Sequence, residues 1–426
     1  MSKIRLLASS KVSNNTLWSL SLHPSRDFVL VTGSPNDISG CDSNESEGSV
    51  ESGQNSAKDE TLGGYAAVYE IKTDSAEGGG GGGDKSEGDL DAASARLRLV
   101  QVLKHKISRT VRCSDFSPDG RMLAIGGYDG VVEIWSSDKG GRDEEGDEEE
   151  EEFEDGEKGK ERGLLKSAPT FRYCCSITGQ ENEIKSCTFS LDSGLLCTTS
   201  RDKTQWIWDI QGCCDGMDPE VVSIVQHGGD VKCSRWTDRG SNNAMVGGAG
   251  YDGVAKWMTE DEEGDFRVRD TLESELAGGY TSSETEEERR PGWETIWDIC
   301  MSSSGARMCL GRGDGVVVVY DSVSSGWRLK GFAGTGGWDT CYSVDLPKGG
   351  SSHFNILACV GRGIKVYKET SLFESSGERS HLFKVDNEVP AGHEGEIFEG
   401  RWRRGGQGFV TIGEEGSVNI WEYEVG

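Results

Sequence analysis

The chain has 426 residues, among them 61 glycines, 8 prolines, 12 tryptophans and 13 cysteines, and a formal net charge of −29 at pH 7. Such acidity argues against a surface built to neutralise a phosphate backbone, so no direct nucleic-acid partner is expected. No stretch approaches the ~20 apolar residues that span a bilayer, residues 1–10 are too short and polar for a secretory signal, and an odd cysteine count without one suits reduced thiols. A cytoplasmic protein, open also to the nucleus and without membrane contact, is expected.

In chain order, a short apolar segment at 4–8 (IRLLA) precedes a series of strand-like units. The first unit, about 11–72, ends in YAAVYE and is interrupted at 35–62 by a segment rich in Ser, Gly and acid. A linker at 73–93 contains six consecutive glycines at 78–83. The second unit, about 97–137, ends in YDGVVEIW. An insertion at 138–167 follows, in which residues 143–157 carry 12 acids and no base. The third unit, about 171–210, is the clearest copy: a strand near 184–190, a D-S-G turn, a strand at 195–199, then SRDKTQWIW. The fourth (about 221–259) ends in YDGVAKW, the fifth (about 266–321) in GDGVVVVY, the sixth (about 327–368) in GRGIKVY and the seventh (about 382–424) in EEGSVNIW. An insertion at 273–290 interrupts the fifth. The inserted segments have too little apolar content to fold alone and are expected to be disordered.

Short strands joined by Asp/Gly turns indicate antiparallel sheet, and seven copies of one unit indicate a ring of stacked blades. The expected fold is therefore all-β, one seven-bladed WD-repeat β-propeller. Residues 4–8 are positioned to add the outer strand of the last blade and close the ring. The closing aromatics are expected at Tyr69, Trp135, Trp208, Trp257, Tyr320, Tyr367 and Trp421, although YDGVAKW is one residue short between Asp252 and Trp257.

Histidines at 105, 227 and 393 recur before first strands, each with a later acid at Asp129, Asp252 or Glu415. A His–Asp pair suggests hydrolysis, but repetition in several units suits a structural brace of His, acid, hydroxyl and Trp. No P-loop, GxSxG or zinc motif occurs, so neither an enzyme nor a metal or cofactor is expected. Cys113, Cys187, Cys233 and Cys300 read as core residues on inner strands. The adjacent pairs Cys174-Cys175 and Cys213-Cys214 lack C-x-x-C spacing.

Binding is the remaining chemistry. The residue just inside each loop that enters a blade is, in order, Trp18, Arg112, Lys185, Lys232, Trp297, Tyr342 and Phe398. Four aromatics and three cations are thus expected at one mouth of the ring, joined by Tyr128, Arg201 and Tyr251 from the turns before Asp. Arg and aromatic side chains anchor protein interfaces, and this set suits a peptide carboxylate beside an aromatic or acidic side chain. The bland alternative is that Lys185 and Lys232 only balance Glu183 and Asp230 in the same loops.

The segments ENEIKSCTFS…LLCTTSRDKTQWIWD and DVKCSRW…GGAGYDGVAKW closely resemble the WD-repeat subunit of the cytosolic iron–sulfur protein assembly machinery. The resemblance implies a non-catalytic scaffold in the late targeting complex, bound to an adaptor subunit and a helical-repeat scaffold. It further implies recruitment of apo client proteins for [4Fe–4S] cluster insertion, some through a C-terminal tail ending in an aromatic residue. The Arg of SRDK, Arg201 here, belongs to that family's functional surface. A substrate receptor of a cullin ubiquitin ligase is the alternative; its W-D-x-R signature is met here only by Trp208-Asp209-Ile210-Gln211, without the Arg.

Overall fold

The computed structural model describes residues 2–35, 63–74, 94–137, 169–238, 244–273, 294–324, 326–334, 339–348, 355–370 and 383–425. The insertions expected to be disordered lie almost wholly outside these residues. Only their ends are seen, and Thr73 and Glu273 prove to be strand residues.

The described residues form seven four-stranded antiparallel sheets and no α-helix. Strand β1 (Lys3–Lys11) stands apart from its neighbours in sequence. The first sheet is β2 (Leu17–Leu22), β3 (Phe28–Gly33), β4 (Tyr65–Asp74) and β5 (Ser94–Val102), and the second is β6 (Val111–Phe116), β7 (Met122–Gly127), β8 (Val132–Ser136) and β9 (Arg172–Ile177). The third contains β10 (Ile184–Phe189), β11 (Leu195–Ser200), β12 (Thr204–Asp209) and β13 (Glu220–Gln226). The fourth contains β14 (Val231–Asp238), β15 (Ala244–Gly250), β16 (Val254–Glu260) and β17 (Phe266–Glu273). The fifth is β18 (Ile296–Met301), β19 (Arg307–Arg312), β20 (Val317–Val323) and β21 (Gly326–Ala333). The sixth is β22 (Cys341–Asp345), β23 (Ile356–Val360), β24 (Gly363–Glu369) and β25 (Phe383–Val389). The last combines β26 (Ile397–Trp402), β27 (Gly408–Gly413) and β28 (Ser417–Glu424) with β1.

The pairing of β1 with β28, Ile4 opposite Tyr423, ties the two ends of the ring together and covers an edge that would otherwise be open. Sequence repeats and sheets are offset by one strand. The segment that opens each repeat (97–102, 171–177, 221–226 and 266–273) hydrogen-bonds as the outer strand of the preceding sheet. A unit whose chain crosses to its neighbour buries its apolar face against that neighbour, so the ring holds together as one body.

Two expectations about the repeat need correction. Trp257 does not occupy the closing position of the fourth sheet; Met258 does. In every sheet the register slips just before that position, between Ile207 and Trp208 in the third and between Trp257 and Met258 in the fourth. The missing residue after Asp252 moves Trp257 one place along the strand, and a shift of one flips a side chain to the opposite face. Trp208 accordingly packs among residues of the second sheet, whereas Trp257 packs towards the fifth, 5.6 Å from Trp327.

The brace of His, acid, hydroxyl and Trp is complete in the seventh sheet. There Trp421 Nε1 donates to Thr411 Oγ1 (2.9 Å), which lies 2.7 Å from His393 Nε2, while Nδ1 meets Glu415 at 2.5 Å. The third sheet keeps Trp208 to Thr198 (2.9 Å), with Gln180 holding Thr204. The second has Ile125 where the hydroxyl belongs, so Trp135 turns to Glu133, and His105 bonds to the Gly64 carbonyl instead of Asp129. In the fourth, His227 Nε2 meets Gln205 at 3.3 Å, with Asp252 3.8 Å from Nδ1. The turn itself persists because Gly130, at φ 80°, supplies a left-handed residue where an added Cβ would meet the Gln180 carbonyl at 2.8 Å.

Candidate functional site at the channel mouth

The first residue of each inner strand is apolar and fully buried: Leu17, Val111, Ile184, Val231, Ile296, Cys341 and Ile397. The second is the expected rim residue. Each of the seven inner pairings slips register there, as between Val111 and Cys113 or Ile296 and Asp298. A bulge leaves its extra residue without a cross-strand partner and re-aims the side chain. Seven bulges therefore turn Trp18, Arg112, Lys185, Lys232, Trp297, Tyr342 and Phe398 into one open depression.

The depression has two halves. The seventh, first, sixth and fifth sheets supply an aromatic arc. Trp18 stacks on Phe398 at 4.6 Å, Phe398 meets Tyr342 at 5.3 Å, and Tyr342 meets Trp297 edge-on at 4.9 Å. The second, third and fourth sheets supply a cationic arc. The Arg112 guanidinium lies 4.8 Å over Trp18, and Lys232 Nζ lies 4.1 Å from the Trp297 ring and 4.5 Å from that of Tyr251. Cations at either end of an aromatic series face the rings they can interact with.

The acids are unevenly shared. Glu183 binds Lys185 Nζ at 2.7 Å and approaches Arg112 at 3.7 Å, so those two cations are compensated. Lys232 has no carboxylate within ion-pair distance among the described residues; Asp230 instead faces Arg201 at 4.0 Å. Burial, then the charges of Lys185 and Arg112, push the Lys232 amine down to about 6. Burial likewise lowers Lys185, against the pull of Glu183. The mouth thus holds a lysine whose amine is held well below its ordinary value by burial and by neighbouring cations.

Tyr128, Arg201 and Tyr251 do not line the depression but stand around it. Arg201 is well exposed, its side chain at 60 %. Tyr251 lies 6.0 Å from Trp297, and Tyr128 lies 5.7 Å from the Arg109 guanidinium.

Below the rim, sequence reasoning missed a ring of polar groups at the third and fifth inner-strand positions. They stitch each blade to the next: Ser21 accepts from Phe116 N, Asp115 from Phe189 N, Asp298 from Val344 N, Asp345 from Trp402 N, and Glu399 from Leu20 N. Arg401 and Arg235 reach Asp298 at 2.8 and 3.3 Å. Burial opposes ionisation of Asp298, but these guanidinium groups outweigh it and hold its carboxyl below the usual range. The signal was the recurrence of Asp, Ser, Glu and Arg on otherwise apolar strands. The cysteines expected in the core, Cys113, Cys187, Cys233 and Cys300, are all buried on inner strands.

The model of the family described as WD domain, G-beta repeat matches residues 97–136 and 171–209. The chain is a seven-bladed β-propeller that carries WD repeats at those residues. Several relatives bear the name probable cytosolic iron-sulfur protein assembly protein 1. The one from Cryptococcus neoformans is 34 % identical to this propeller over 134 residues, 29 % of either chain. That from Kluyveromyces lactis is 38 % identical over 101 residues, 24 % of either chain. That from Botryotinia fuckeliana is 31 % identical over 163 residues, covering 34 % of this propeller and 37 % of the relative. The propeller is thus matched over about a quarter to a third of the length of these relatives.

Proposed function

We propose that this propeller is a non-catalytic scaffold of cytosolic iron–sulfur protein assembly, working in the cytoplasm and binding its clients at the channel mouth. In this reading it joins an adaptor subunit and a helical-repeat scaffold and presents apo client proteins for [4Fe–4S] insertion, the cluster being cargo. The names of the relatives support the pathway. The observation that carries the binding site is the division of one mouth into an aromatic arc and a cationic arc with a single uncompensated lysine. A peptide terminus fits both halves: its aromatic side chain meets the Trp297–Tyr342–Phe398 face, and its carboxylate meets Lys232 and Arg112. The described histidine that meets both a hydroxyl and an acid, His393, does so inside the seventh blade, where Thr411 is fully buried and bonded to Trp421.

Arg201 is exposed and bound only at long range, so its replacement leaves packing intact. In affinity purification from cells, Arg201→Glu is expected to lose client proteins while the adaptor and scaffold remain and the melting temperature is unchanged. Undiminished client recovery contradicts the assignment of this rim. Co-purification of a cullin adaptor in place of the assembly subunits favours the ubiquitin-ligase alternative.

A further inference from the structure

The inner strands start at the channel mouth, so the turns that follow them lie on the opposite face, and four of those turns lock together. In the first blade, His23 Nε2 donates to the Gly120 carbonyl of the second blade's turn (3.1 Å), and its Nδ1 accepts from Ser25 N and Arg26 N (both 3.2 Å). The seventh blade's turn reaches the first through Arg403 to Asp27 (3.4 Å) and through Arg404 Nη1, which donates to the Ser25 carbonyl (3.5 Å). Gly406 of that turn packs on the sixth, where an added Cβ would meet Pro347 at 3.1 Å.

Together these turns (residues 23–27, 117–121, 346–348 and 403–407) carry five bases, Arg26, Arg121, Lys348, Arg403 and Arg404, against two acids, Asp27 and Asp119. All the bases but Arg403 are exposed. Asp119 is turned onto Ser117 Oγ (2.5 Å) and Arg121 N (3.0 Å). Among the described residues Arg26, Arg404 and Lys348 have no carboxylate within ion-pair distance. On a chain of net charge −29 this is a concentrated basic patch. The other side of the same face is acidic: the connections after β12 and β16 hold Asp215, Asp218, Asp261, Glu262, Glu263 and Asp265.

An occupant of matching charge starts beside the patch. The described chain stops at Ser137, whose N–H donates to the Arg121 carbonyl (2.8 Å), and resumes at Pro169. Between them, residues 143–157 carry 12 acids and no base. Stacked sheets stand about 10 Å apart, so the sixth blade is ~30 Å from the second by way of the first and seventh. Residues 138–168 can reach ~50 Å out and back. The acids of the third and fourth blades repel such a segment and the bases of the first, sixth and seventh attract it.

We propose that the face opposite the mouth is an anion-binding surface occupied by this chain's own residues 143–157, laid across Arg121, Arg26, Arg404 and Lys348. Attachment at Ser137 supplies the segment at an effective concentration of about a millimolar. An acidic segment of another protein must therefore displace it to bind there. The contact is between exposed charges and is screened by salt.

Zero-length carbodiimide coupling tests this on the full-length chain, since it joins a carboxylate to an amine only in contact, and Lys348 is the one lysine in the four turns. Trypsin cuts after Arg142 and Lys158 and releases the acidic segment as one peptide. The expected product is that peptide joined to the one containing Lys348, in protein that stays monomeric on a denaturing gel. The Arg26→Glu/Arg404→Glu variant keeps Lys348 and is expected to lower the yield at least tenfold with an unchanged melting temperature. Sodium chloride at about 1 M, where the screening length is ~3 Å, is expected to do the same to the unaltered chain. Failure of residues 143–157 to couple to Lys348, coupling only within a cross-linked dimer, or a yield unchanged by both the variant and salt overturns the proposal. A separate arm uses a fluorescent peptide of residues 143–157, expected to bind at least tenfold more tightly when the acids of the chain's own segment are changed to Asn and Gln. Equal binding to the unaltered chain leaves the patch to a different protein's acidic segment and likewise overturns it.

Discussion

Lys232 is the residue on which the electrostatics of the mouth turn. Its amine is pushed down to about 6 by burial and by the neighbouring Lys185 and Arg112 charges. Its folded value lies far below its unfolded value of 10.5, so the unfolded chain holds the extra proton throughout the window between them. Stability therefore rises with pH across that window, and the lysine is a burden on the empty protein at neutral pH. Lys232→Met is expected to raise the melting temperature at pH 7, with a gain that shrinks towards pH 10, and to weaken anion binding. A variant that melts lower at pH 7 contradicts the uncompensated state of the amine. Sequence alone showed a lysine at this rim position and an acid, Asp230, two residues before it. That Asp230 turns to Arg201, leaving Lys232 between two rings, follows from the curvature of the ring and cannot be read from spacing.

At the scale of elements, the bulge matters more than the strand. The same one-residue slip recurs in each inner strand and directs the rim side chains inward. A second slip, before the closing position of each third strand, faces its outer partner. Turns, strand order and the closing strand were legible because Asp-Gly turns and alternating apolar residues have local causes. The bulges were not, since a bulge is a mismatch between two strands and leaves no mark on either one. Trp257 illustrates the cost: one residue fewer after Asp252 put it on the opposite face, and Met258 took its place. The brace was likewise legible only as a list of residue types. Whether it assembles depends on a hydroxyl two residues beyond the residue facing the Trp, as at Thr411 and Thr198 but not Ile125. Thr411→Val strips the partner from both Trp421 Nε1 and His393 Nε2. It is expected to cost about 2–4 kcal/mol in chemical denaturation, the penalty of two buried polar groups left without partners. A loss below about 0.5 kcal/mol, the range of a neutral surface change, contradicts the brace in that blade.

For the whole molecule, closure gives the site its composition. No blade contributes more than one side chain to the rim ring, and a ring of seven sheets gathers four aromatics and three cations that lie up to 380 residues apart along the chain, from Trp18 to Phe398. The polar groups beneath, bonded to the backbone of the next blade at five of the seven junctions and to its side chains at the other two, hold that arrangement before any ligand arrives. A pre-formed mouth lowers the ordering cost of binding.

The most direct test compares two fluorescent peptides of identical sequence with a terminal aromatic residue, one ending in a free carboxylate and the other amidated, titrated with the propeller at pH 6 and pH 8. The account predicts that the free carboxylate binds at least tenfold more tightly than the amide. It also predicts that this advantage falls from pH 6 to pH 8 as Lys232 must take up its proton from solution, by up to about tenfold per pH unit for one linked proton. Equal affinity of the two peptides at both pH values contradicts it.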